Sequence, residues 1–213
     1  MINPPVTFTI DELKLIQDKR HNENFSSRTW SDPDLNDLKS KIKAHYLKVQ
    51  KHHCPYCQMQ IRVSNHRNWD TEHIIPRTTV PYFMFEPQNL CVSCTDCNNS
   101  KKAQKVTNSK AKTNLPIKSE QYLIIHPHFD NYKDHITVIE AGLLYIAKSP
   151  KGENTIKILS LNRFHKYGSY GDPKDIVPDI ILHANALADS DLSKNRQDEL
   201  LRRIIADAVK HIS

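Results

Sequence analysis

The sequence predicts an α+β fold, and three features of its 213 residues carry that prediction. Helical periodicity opens and closes the chain, two C-x-x-C pairs bracket a charged centre with short apolar runs, and β-rich segments follow residue 120. The boundaries drawn from them are an N-terminal arm and helix over 1–51, a cysteine-bounded core over 52–119, and a β-rich extension over 120–213 that ends in an amphipathic helix.

Taken in order, residues 1 to about 30 are polar, with a short helical signal in TIDELKLIQDKR, and predict an arm of little defined structure. In SDPDLNDLKSKIKAHYLKVQ the pattern strengthens. Asp32 suits an N-cap, Pro33 a first helical turn, and Leu35, Leu38, Ile42, Tyr46 and Val49 recur at helical spacing. The runs HIIP and NLCVS in the centre read as strands, and residues 107–119 as a connecting loop. Beyond it YLIIHPHF, ITVIEAGLLYIAK and TIKILSL read as β-rich, broken by turn signals at Ala141-Gly142 and Lys151-Gly152. Leu201, Ile204, Ile205, Ala208 and Ile212 form a closing helical stripe, which is expected to pack within the chain.

Composition narrows the function classes. With 38% hydrophobic and 25% charged residues the chain has an ordinary globular balance, which argues against extensive disorder. Lys and Arg outnumber Asp and Glu by 30 to 24, giving a net charge of +6 and a pI near 9.0, which suits a polyanionic partner without requiring one. The start, MINPPVTFTIDELKL, has no basic n-region and no unbroken apolar h-region. No window has the apolar length of a membrane span, so a cytoplasmic protein without a membrane partner is expected. Disulfides are rare in that compartment, and the five cysteines need another use.

Four of them fall in two knuckles, Cys54-Pro-Tyr-Cys57 and Cys94-Thr-Asp-Cys97, and each knuckle presents two thiolates to one tetrahedral zinc. Redox chemistry would need only one pair. The 36 residues between the pairs exceed the usual ribbon interval, so the zinc is expected to staple the base of a larger inserted unit. Cys91 is left as a small core residue, and His52 and His53 are expected to face solvent.

The inserted unit carries Asp70, Glu72 and His73 in WDTEHIIPR, then Asn89, and Asn98 follows the second knuckle. DTEHIIPR, then NL, then CTDCNNSK resembles the zinc-stapled HNH endonucleases, over about 50 residues and with the elements in the same order. That resemblance implies a ββα-metal core, two strands and a helix around one divalent cation. It further implies His73 as general base, Glu72 as metal ligand, Asn89 as the residue that orients the loop, and Asn98 completing the metal site. Asn98 lies nine residues after Asn89, the interval found in the HNH domain of RNA-guided nucleases. Many members carry Asp where this chain has Glu72, so Asp70 is an alternative ligand or an outer hydrogen-bond partner.

The residue types fit phosphodiester hydrolysis on chemical grounds as well. A neutral imidazole accepts a proton near pH 7, and oxygen donors such as Glu72 and Asn98 favour Mg²⁺ or Mn²⁺ over zinc. From Asn98 to Ser119 there are six lysines and no acidic residue, so Lys101, Lys102 and Lys105, with Arg77, are expected to contact backbone phosphates. DNA is favoured over RNA as the nucleic-acid partner. The alternative is a zinc-stapled nucleic-acid-binding or adaptor protein without catalysis.

His126, His128, Asp130 and His135 cluster in IIHPHFDNYKDHI at a spacing that fits no common metal site, and local structure beside the core is the expected role, with a supporting contact to the active site as the alternative. YLIIHPHFDNYKDHITVI and KGENTIKILSLNR are similar to the C-terminal parts of HNH proteins in bacterial anti-phage systems, including those paired with an ATPase or a retron. This implies an effector nuclease with a regulatory protein partner such as an ATPase, and a C-terminal half that serves as a docking surface.

Overall fold

The computed structural model describes residues 1–62, 66–164, 183–184, 186–187 and 192–210. Among them five helices accompany two small antiparallel sheets, so the fold is α+β. Helix α1, Ile10–His21, begins at Thr9, whose hydroxyl accepts from the Glu12 amide while the Glu12 carboxylate accepts from the Thr9 amide. This reciprocal capping box satisfies two otherwise orphaned donors. The N-terminal arm is therefore better defined than its polar composition suggests. Ile16 is buried, Glu12 pairs with Lys41 at 2.5 Å, Lys19 reaches Asp32 at 2.6 Å, and Arg20 reaches Glu86 at 2.7 Å.

Helix α2, Asn36–Val49, follows a 3-10 turn at Pro33–Leu35. Asp32 makes no side-chain cap there because its carboxylate is taken by Lys19. Leu35, Leu38, Ile42 and Tyr46 are buried, as their spacing requires. Strand β1, Trp69–His73, pairs with β2, Leu90–Cys94, from Trp69↔Cys94 to His73↔Leu90. The strand thus lies ahead of HIIP, and the chain bends after His73. Gln50, from the end of α2, completes the outer ladder of β2: its amide accepts from the Val92 N–H at 2.9 Å and donates to the Val92 carbonyl at 2.7 Å. Helix α3, Thr95–Lys101, starts directly from β2, and both α2 and α3 pack on the two strands.

Strands β3, Ile136–Glu140, and β4, Leu144–Ala147, form the second sheet, with an irregularity between Val138 and Glu140. TIKILSL is not a strand. Helix α4, Pro150–Ile158, takes its first four residues and a turn the rest, because Ser149 caps the Gly152 amide and Pro150 occupies the first turn. Gly152 serves close packing rather than a turn: a Cβ there would meet the His135 carbonyl oxygen at 2.0 Å. YLIIHPHF contributes one isolated bridge, Thr107↔Tyr122, and is otherwise irregular.

One apolar core runs from Ile2 to Leu161 and unites all three predicted segments. Helix α5, Lys194–Lys210, carries the closing stripe differently from expectation. Leu200 is buried while Leu201 and Ile205 are exposed, and Ile212 lies outside the described residues. Among the described residues no helix is long and apolar enough to cross a membrane.

Candidate active site

Alternation along β1 sends Asp70 and Glu72 to one face, and the i, i+3 spacing on α3 stacks Asn98 beside Lys101. The two elements meet in two rungs. Asn98 Nδ2 donates to Asp70 Oδ2 at 2.8 Å, half-buried, and Lys101 Nζ pairs with Glu72 Oε1 at 2.6 Å, out of solvent. Lys101 is 1% and Glu72 2% exposed. Burial raises the Glu72 pKa even against the Lys101 charge, and Tyr56 of the first cysteine knuckle donates to the same Oε1 at 3.3 Å.

His73 ends β1 at 6% exposure. Its Nε2 lies 3.2 Å from the Met84 carbonyl, and its ring meets Trp30 edge to face at 4.5 Å. A carbonyl only accepts, so Nε2 carries the proton and Nδ1 is the acceptor nitrogen of the neutral ring. Burial, then the Arg77 and Lys101 charges, push the His73 pKa down to about 3. The ring is accordingly neutral at physiological pH.

Asn89, fully buried, ties down the chain that follows His73. Its Oδ1 accepts from the Ile75 amide at 2.7 Å, and its Nδ2 donates to the carbonyls of Ile75 and Phe83 at 3.1 and 3.0 Å. These bonds fix the bend after His73, which bears on how His73 and Asp70 share one cleft, since residues an odd number of positions apart on a strand otherwise point to opposite faces.

The cleft has a volume of about 670 Å³, and Trp30, Lys39, Lys43, Arg77 and Lys102 line it beside Asp70, Glu72, His73 and Asn98. Cations dominate. Arg77 lines the cleft while donating to the Ser27 carbonyl. Of the expected phosphate contacts, Lys102 and Lys105 are exposed, and Lys105 borders a neighbouring cavity. Lys101 departs from that expectation: it lines the cleft, but its ammonium is 1% exposed and is held by Glu72 and by the His73 carbonyl at 3.0 Å. Sequence reasoning missed Trp30, Lys39 and Lys43. The buried Leu35, Leu38 and Ile42 stripe contained the signal, because it turns Lys39 and Lys43, four apart, onto an adjoining face.

Cys54, Cys57, Cys94 and Cys97 converge from the two knuckles, are all buried and unbridged, and have sulfurs within 4.8 Å of one another. A tetrahedral site with zinc–sulfur distances of about 2.3 Å has edges of about 3.8 Å, and Cys57 Sγ lies 3.8 Å from Cys94 Sγ. The donor set fits a metal ion such as zinc. Cys91 is a buried core residue apart from this group. The C-terminal segment braces the first knuckle: Tyr132 donates to the Tyr56 carbonyl at 2.8 Å and Tyr145 to the Cys57 carbonyl at 2.5 Å.

The histidine-rich segment is structural in geometry. Asp130 gathers the His126 amide at 2.6 Å, the Ser119 hydroxyl and Lys151, while His128 Nε2 donates to the Leu90 carbonyl at 2.8 Å behind β2. His126 stacks on Phe129 at 4.0 Å. Burial lowers the pKa of both His126 and His128. Because the unfolded chain binds these protons at about 6.5, the associated stability is complete above that pH and is lost as pH falls toward the folded values. His126→Phe should lower the melting temperature at pH 7 yet flatten its decline between pH 6.5 and 5, by up to about 1.4 kcal/mol per pH unit for the proton removed. Calorimetry across that range checks the slope.

Set against known proteins, a chain with this mixed fold, cysteine cluster and basic cleft matches no protein-family model. It is 26% identical over 164 residues to Septu protein PtuB of Bacillus thuringiensis, covering 77% of this chain and 54% of that protein. It is also 35% identical over 83 residues to Septu protein PtuA of Bacillus mycoides (strain KBAB4), covering 37% of this chain and 11% of that protein. The chain thus spans about half the length of the PtuB relative and a small part of the PtuA one.

Proposed function

We propose that this protein is a divalent-metal-dependent HNH endonuclease that hydrolyses nucleic-acid phosphodiester bonds and acts in bacterial anti-phage defence. The observation that carries the proposal is the placement of His73: its Nε2 is committed to the Met84 carbonyl, which makes Nδ1 the acceptor nitrogen, and the ring lines a cation-rich cleft beside Asp70 and Asn98. In this reading Nδ1 takes the proton of the attacking water. Asp70 and Asn98 offer the hard oxygen donors for Mg²⁺ or Mn²⁺. Glu72 is already neutralised by Lys101, which favours Asp70 as the metal carboxylate. A divalent cation held there supplies stabilisation of the charge that builds on the phosphate oxygens. Arg77, Lys43 and Lys102 orient the backbone, and Asn89 keeps His73 facing it.

The similarity to PtuB and PtuA supports the defence role and a protein partner within a complex. Zinc in the cysteine cluster is structural in this reading. The same Glu72–Lys101 pair also favours the second reading, a binding or adaptor protein, because it occupies a carboxylate that the nuclease resemblance assigns to metal.

The deciding experiment incubates purified protein with plasmid, linear duplex, single-stranded DNA and tRNA, each with Mg²⁺, Mn²⁺ or EDTA. Metal-dependent cleavage of any substrate supports the nuclease. Tight binding with every substrate left intact supports the adaptor. Binding should also report on the two outward-facing lysines. Lys102→Ala with Lys105→Ala should reduce the log–log salt slope for duplex DNA by about 0.9 for each phosphate no longer neutralised. An unchanged slope in fluorescence anisotropy titrations removes those lysines from the interface.

A further inference from the structure

We propose that Lys101 is a positioning residue for His73, and that Tyr56 links the first cysteine knuckle to it through Glu72. The catalytic consequence rests on the nuclease reading, whereas the structural one rests on geometry alone.

Lysine is almost never fully buried unless paired, and Lys101 is buried with two partners at once, Glu72 Oε1 at 2.6 Å and the His73 carbonyl at 3.0 Å. The second partner matters because β1 ends at His73. The next amide, that of Ile74, still follows the register of the ladder to the Asn89 carbonyl at 2.8 Å, while the chain itself bends at Ile74 and Ile75. Lys101 holds the carbonyl side of His73 at this bend, Asn89 holds the loop side, and Met84 receives the ring. A shift of the His73 backbone would therefore swing Nδ1 within the cleft. Glu72 in turn is held by the Tyr56 hydroxyl at 3.3 Å, and Tyr56 lies between Cys54 and Cys57. The contacts run without a gap from the cysteine cluster through Tyr56, Glu72 and Lys101 to His73.

A simpler role is charge compensation, in which Lys101 only neutralises a buried carboxylate. The two roles separate in the double variant Lys101→Met with Glu72→Gln. It removes both charges and preserves most of the volume, so it should fold, whereas Lys101→Met alone strands a buried carboxylate and is expected to unfold. If Lys101 positions His73, the folded double variant loses about 10²-fold in kcat with KM for DNA little changed. Its His73 Nε2–H resonance, read by nitrogen–proton NMR, should shift or vanish as the bond to Met84 loosens. Wild-type kcat with an unmoved resonance overturns the proposal and leaves charge compensation. Tyr56→Phe should move the same resonance by a smaller amount, and no movement breaks the link to the knuckle.

Glu72→Gln alone supplies a further check. An unchanged Mg²⁺ requirement fits Glu72 as the partner of Lys101, whereas a tenfold higher requirement relieved by Mn²⁺ makes it a metal ligand and overturns that pairing. If the wild type cuts nothing, the nuclease reading fails, but the NMR comparison still decides whether Lys101 positions His73.

Discussion

With His73 as the base of the proposed nuclease, His73→Gln should reduce cleavage by about 10² to 10⁴-fold, the usual cost of losing a general base, with zinc content and DNA affinity close to wild type. Glutamine is the informative replacement because His73 is buried and gives Nε2–H to the Met84 carbonyl, a bond that an amide can imitate. His73→Ala should be as inactive but also less stable by about 1–3 kcal/mol, since it opens a void against Trp30 and leaves the Met84 carbonyl unpaired. Asp70→Asn and Asn98→Ala should fail for another reason, weakened binding of the divalent cation, and excess Mn²⁺ should recover part of their activity. No metal concentration should recover His73→Gln. A His73→Gln protein that cuts plasmid as fast as wild type would assign the base elsewhere.

Cys54→Ser or Cys97→Ser should leave a chain that does not hold its fold at 25 °C. Both thiols are buried in a four-sulfur group with no disulfide, and structural zinc sites of this kind supply about 10–16 kcal/mol of apparent binding free energy in small peptides. That matches or exceeds the roughly 5–15 kcal/mol by which a typical domain is stable at all. The loss should spread beyond the knuckles. Tyr132 and Tyr145 dock the second sheet on the carbonyls of Tyr56 and Cys57, and Tyr56 reaches Glu72. Far-ultraviolet circular dichroism with elemental analysis measures both halves of the expectation, one zinc per chain and loss of structure when a ligand is removed. Folded wild-type protein free of metal would remove zinc from the fold.

Periodicity and spacing made part of this legible in advance. The Leu35, Leu38, Ile42 and Tyr46 stripe is a local property of one helix, and the burial of those residues follows from its period. NLCVS likewise reads as a strand because its apolar and β-branched run is continuous, and β2 is buried throughout. TIKILSL misled for the converse reason. Its β-branched residues carry weak strand preference, while the Ser149 cap and Pro150 determine where a helix begins. Lys101 misled because a run of lysines shows no direction. In Lys101–Lys102 one side chain turns inward and its neighbour outward, and helix phase against β1 decides which.

By itself the sequence determined the chemical inventory: four thiols in two knuckles, an imidazole beside carboxylates, paired asparagines and an excess of cations. These are matters of residue type and short spacing, which covalent connectivity guarantees. Tertiary structure alone decided which of those groups are used together. It paired Glu72 with Lys101 and Asp70 with Asn98, brought Trp30, Lys39 and Lys43 to the cleft, and set the His73 tautomer through the Met84 carbonyl. The physical reason is that hydrogen bonding and ionisation depend on burial and on partners remote in the chain, such as Met84 for His73 and Tyr56 for Glu72.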